Sequence, residues 1–177
     1  MKKKTLALVL ALTLLVAGVV GGTLAWLTDQ TAEVKNTFTV GDISIGLTET
    51  TADYKMVPGN TIAKDPTVTV KANSEACWLF VKVTESTDLK DFITYAIAEG
   101  WTALPGVDGV YYREVPASAA DQTFSVLADD AVTVRSDVTR TMLETAKTDA
   151  PTLTFQAYAI QKDHFATADA AWAEVSK

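Results

Sequence analysis

Few side chains in this chain could carry out chemistry. It has one histidine, His164, and one cysteine, Cys77, in 177 residues. Zinc proteolysis needs two imidazoles on one helical face and a glutamate as base, normally spaced as HExxH, which a single histidine cannot supply. His164 lies in KDHFA, at the expected start of the last helix, where a solvated residue is the ordinary reading. Cys77 opens the apolar run CWLFV, where a thiol reads as a small buried hydrophobe. A Cys77–His164 nucleophile pair would rest only on the existence of the two residues. GxSxG elbows and GxxxxGK[ST] or GxGxxG phosphate loops are missing from the sequence. Asp129, Asp130 and Asp163 could offer oxygens to calcium, but no loop carries the alternating array that an EF-type site requires. The expectation is a non-catalytic domain with no metal and no cofactor.

What positions these residues begins with a leader. Lys2, Lys3 and Lys4 precede an uncharged apolar run from Leu6 to Val20, and Gly18, Gly21 and Gly22 then interrupt any helix it forms. Thr23 and Ala25 occupy the minus-three and minus-one places of a small-x-small cut, making Trp26 the first mature residue. The competing reading is an uncleaved anchor, since Leu6 to Leu27 is just long enough to span a bilayer. Its second half is rich in glycine and alanine and ends at a cleavage site, which favours processing.

The formal charge is −7. Losing three of the 15 basic residues with the leader leaves 12 against 22 acids, a charge of −10. With its bases scattered singly, such a chain has no stripe to follow a phosphate backbone, so nucleic acid is excluded as a partner. A lone cysteine excludes an intramolecular disulfide. No LPxTG-like motif or second apolar segment is seen, so retention at a cell surface is expected to come from assembly or adhesion.

The remaining sequence is β-type. FTVGDISIGLTE (38–49) alternates apolar residues and changes parity at Gly41-Asp42, as at a bulge or bend. TVTVKA (67–72) and CWLFVKVTE (77–85) are rich in β-branched and aromatic residues, and the turn residues between them predict a hairpin. Further strands are expected at 94–98, 110–115, 123–127, 132–135 and 153–160, and helices at 137–147 and 166–175. Pro58-Gly59 reads as a turn and Lys64-Asp65-Pro66 as the approach to a strand; Trp78, Phe80, Phe155, Tyr158 and Trp172 read as core. Short strands about ten residues apart predict an all-β fold, a jelly-roll-like antiparallel β-sandwich with a few short helices. The divisions are a cleavable signal segment (1–25), an extended N-terminal linker (26–36) and the sandwich (37–177).

Four stretches in combination resemble the TasA and camelysin family of secreted Gram-positive proteins, whose leaders are cut by a SipW-type signal peptidase. They are GGTLAWLTDQTAEVKNTFTVGDISIGLTE, VPGNTIAKDPTVTVKANSEACWLFVKVT, GVYYREV followed by FSVL, and APTLTFQAYAIQKDHF with a nearby AW. The resemblance covers nearly the whole mature chain. It implies a jelly-roll subunit of extracellular biofilm matrix fibres, in which the N-terminal segment leaves its own fold and adds as a strand to the next subunit. Carried onto this sequence, Thr23, Ala25 and Trp26 would be recognised by the signal peptidase, and Trp26, Leu27, Thr28 and Asp29 would lead the donor strand. The implied partners are further copies of the chain, a second matrix subunit and the peptidase, with membrane contact only through the leader. An accessory subunit or a surface adhesin is the alternative. The metalloprotease activity attached to the camelysin name lacks its histidines here.

Overall fold

The computed structural model describes residues 42–50 and 54–177. Within the described residues ten strands build three antiparallel sheets. In chain order they are β1 (Ile45–Thr48), β2 (Thr61–Ala63), β3 (Thr67–Val70), β4 (Cys77–Glu85), β5 (Ile93–Thr94), β6 (Thr102–Ala103), β7 (Val110–Val115), β8 (Gln122–Ser125), β9 (Ala131–Val134) and β10 (Leu153–Gln161). The sheets run β1-β3-β8, β10-β4-β7-β6 and β2-β9-β5. Among the described residues three short helices accompany them: α1 (Leu89–Phe92), α2 (Arg140–Ala146) and α3 (Ala168–Val175).

The continuous apolar run in β4 is explained by burial on both of its faces. Cys77, Leu79, Val81 and Val83 point into a core shared with Val68 and Val70 of β3, so the four-stranded sheet faces β1-β3-β8. Trp78 and Phe80, one residue out of phase, point the opposite way, toward α3. That helix presents Ala168, Ala171, Trp172 and Val175, an i, i+3, i+4, i+7 stripe. Trp172 packs on Phe80 and Tyr158 with ring centroids 5.3 and 5.1 Å away, and the Trp78 indole N–H donates to Phe165 O at 2.9 Å. These aromatics are packing residues, as expected. A further cluster joins β9, α1 and α2 to Leu153 and Phe155 at the start of β10.

Several expectations are corrected. β3 and β4 do not form a hairpin, because β3 pairs with β1 and β8 while β4 pairs with β10 and β7. The turn between them, with Asn73 at φ 64°, carries the chain from one facing sheet to the other, so both strands' valines reach the same core. The strand at 94–98 shrinks to β5, and Ile97 forms only an isolated bridge with Leu127. α2 and α3 begin later than the periodicity suggested, because Thr139 and Thr167 cap them by accepting from the N–H of Met142 and Ala170. β2, β6 and α1, all four residues or shorter, were not anticipated. The 38–49 strand is seen as β1 alone, and Phe38 to Gly41 lie outside the described residues.

Two turns show why their residues were needed. Val57–Asn60 closes with Asn60 N–H on Val57 O at 3.0 Å, with Pro58 second and Gly59 third at φ 82°, a type II turn. Gly109 sits at φ 71° where its carbonyl takes the Val83 N–H at 2.7 Å. A Cβ there would come within 2.4 Å of Val83 O.

Candidate functional site

The residues named for processing and strand donation, Thr23, Ala25, Trp26, Leu27, Thr28 and Asp29, lie outside the described residues. The groups that could have done chemistry are not assembled for it. Cys77 is fully buried on the core face of β4, and burial pushes its thiol up to about 11, so the nucleophilic thiolate is scarce at neutral pH. His164 is exposed in the 3-10 turn Lys162–His164 that follows β10. Asp129 and Asp130 lie in the turn before β9, while Asp163 lies after β10. Among the described residues no three His, Cys, Asp or Glu side chains stand close enough to hold one metal ion. Nor is any described helix long and apolar enough to cross a membrane.

One charged cluster does form. The Lys64 side chain, 8% exposed, donates from Nζ to Glu49 Oε1 at 2.6 Å, and its ammonium lies 4.7 Å from the Tyr54 ring centroid and 5.4 Å from that of Phe155. Tyr54 also donates its hydroxyl to Glu49 Oε1 at 2.5 Å; burial and then this carboxylate raise its phenol well above the ordinary range. Next door, Asp65 accepts from the Thr50 N–H at 2.9 Å and from the Thr50 hydroxyl, which holds its carboxyl below the usual range. Lys64 and Asp65 therefore fasten the segment after β1 to the approach to β3. Sequence reasoning placed them at the start of a strand but missed the ion pair, because Glu49 is 15 positions away.

A second cation has no carboxylate partner among the described residues. The Arg113 guanidinium stacks 3.9 Å from the Phe124 ring centroid and 5.3 Å from that of Trp101, and desolvation lowers its pKa. Both clusters read as packing.

The sheet edges offer more for function. β10 pairs with β4 in unbroken register from Leu153↔Glu85 to Gln161↔Cys77, and no second strand pairs with it among the described residues. Lys162 N–H donates to Ala76 O and Ser86 N–H to Thr152 O, each at 2.9 Å. By the two-residue period of an antiparallel ladder, the even-numbered residues of β10 bond to β4. The N–H and C=O groups of 153, 155, 157, 159 and 161 therefore face away from it. The side chains of Phe155, Ala157 and Ala159 point into the main core beside Ile43 and Ile45, and all three are only half-buried.

At the Gln161 end of this edge lies a depression of about 550 Å3. Ile43, Ala159, Ile160 and Phe165 give it apolar walls, and Gln161, His164 and Glu174 its polar ones. The Glu174 carboxylate is bound to Lys177 Nζ at 2.6 Å, with both side chains more than half exposed. Compared with protein-family models, with curated proteins and with solved structures, the chain has no match.

Proposed function

We propose that the protein is a secreted structural subunit of an extracellular biofilm matrix fibre, a jelly-roll β-sandwich that polymerises head to tail once residues 1–25 are removed. The observation that supports this most directly is the outer edge of β10, nine residues long, with a row of backbone groups that have no strand partner among the described residues. A long edge of this kind is a template for a strand from another chain. Phe155, Ala157 and Ala159 beside it are only half-buried, and the alternate side chains of an added strand would cover them. In this reading the segment led by Trp26, Leu27, Thr28 and Asp29 supplies that strand to the next copy. Because donor and acceptor surfaces differ, the contact does not close on itself and a filament results. Before processing, the lysine-flanked apolar leader keeps the donor at the membrane.

Negative-stain electron microscopy of two purified forms tests the proposal, one beginning at Trp26 and one carrying a short extension before it. Fibres are expected from the first and monomers from the second. Monomers from both, at concentrations where fibre subunits assemble, would reject the homopolymer and favour an accessory subunit or adhesin.

A further inference from the structure

We infer that the depression at the Gln161 end of β10 is the seat for the first residue of a second, processed copy. The Trp26 side chain would rest on Ile43, Ala159, Ile160 and Phe165, with its new α-ammonium directed to Glu174. This inference rests on the fibre reading and adds to it the residue-level contact by which a subunit recognises that its neighbour has been cut.

Chain direction carries the first step. Ile43 lines the depression itself, which places the neighbouring Asp42 near the Gln161 end of β10. β10 spans roughly 26 Å at about 3.3 Å per residue, which separates this end from the Leu153 end. A neighbour stacked head to tail presents its own Asp42 at the Leu153 end. Its preceding segment then runs along β10 toward Gln161. Residues 26–41 reach at most roughly 50 Å when extended, enough to cross the gap between subunits and the length of β10. The tip of the segment can therefore reach the depression.

Chemistry carries the second step. The tip is Trp26 followed by Leu27, and the walls it would meet are isoleucine, alanine and phenylalanine. Between Trp26 and Val34 the segment holds no basic side chain, so its cation is the amine that cleavage creates, protonated at neutral pH. Before cleavage that nitrogen is a neutral amide. Glu174 already holds an ammonium from Lys177 in an exposed pair, so exchanging one ammonium for another costs little.

A double-mutant cycle tests the contact. The receptor is the full-length chain, whose own Trp26 nitrogen is an amide and cannot compete. The probe is the synthetic peptide of residues 26–35, dye-labelled at Lys35, with its N-terminus free or acetylated. Fluorescence anisotropy should show the free amine binding about three- to fivefold more tightly than the acetylated form, the scale of an exposed ion pair. With Glu174→Gln in the receptor the two peptides should bind alike. Trp26→Ala in the peptide should lose about tenfold or more, as for a buried aromatic anchor. No binding, equal binding of both peptides to the unmutated chain, or an amine preference that survives Glu174→Gln would overturn the inference. These results are separable from the fibre reading. Unaltered fibres from a processed Glu174→Gln chain, with no amine preference in the peptides, would leave that reading standing and remove this seat. A wild-type chain that forms no fibres but shows the cycle would do the reverse.

Discussion

Lys64 is a charge the fold has taken out of water, and its cost depends on which partner is removed. Its ammonium is nearly buried while the Glu49 side chain keeps 26% exposure, so the two are not equivalent. Glu49→Gln leaves a buried ammonium without its counter-charge and should cost about 2–4 kcal/mol in urea unfolding. Lys64→Met leaves a carboxylate that water can reach and fills the site with apolar volume, so it should cost less than about 1 kcal/mol. Equal losses would mean that the pair is not buried as described. Cys77 gives a pH prediction at the same scale. Its thiol ionises at about 11 in the fold against an ordinary value of 9.0, so between those values the unfolded chain has shed a proton that the folded chain keeps. Stability from this group is complete below pH 9 and falls as pH rises toward 11. Unfolding measured from pH 8 to 11 should therefore decline more steeply for the wild type than for Cys77→Ala, and parallel curves would reject the buried thiol.

Among the elements, β4 and β7 depend on one backbone contact that no larger residue permits. Gly109→Ala would combine a left-handed φ of 71° with a Cβ 2.4 Å from Val83 O, and should cost at least about 2 kcal/mol. Gly46→Ala in β1 meets nothing within 4 Å and has no left-handed φ, so it should stay within about 0.5 kcal/mol of wild type. Thermal unfolding of the two variants separates a local requirement from a general intolerance of substitution. The helices illustrate another local rule. Periodicity located α2 and α3, but Thr139 and Thr167, whose hydroxyls each accept from one free N–H of the first turn, set where they begin.

For the whole molecule the prediction concerns the β10 edge. Ala157 directs its N–H away from β4, so proline there removes an outward donor without removing a bond of the β4 ladder. If the chain assembles as proposed, Ala157→Pro should leave a folded monomer by circular dichroism and abolish fibres in the microscope. Proline at Gln156, which bonds to β4, should instead reduce stability. Fibres of normal length from Ala157→Pro would mean that another edge receives the strand; among the described residues β1, β2, β5, β6 and β8 are each also paired on one side only.

Local chemistry made much of this legible in advance. Alternation and β-branched runs located β3, β4, β7, β9 and β10 to within a residue or two, since the period of two reflects which face of a strand meets water. The Pro58-Gly59 turn was readable because only glycine takes its third position readily, and a lone cysteine within an apolar run could be taken for core. Partnership was not legible. That β3 and β4 lie in different sheets, that Glu49 neutralises Lys64, and that β10 pairs with β4 alone among the described residues all depend on contacts between residues far apart in the chain. Periodicity records whether a side chain is buried, not what it is buried against, so only the tertiary structure decided those contacts.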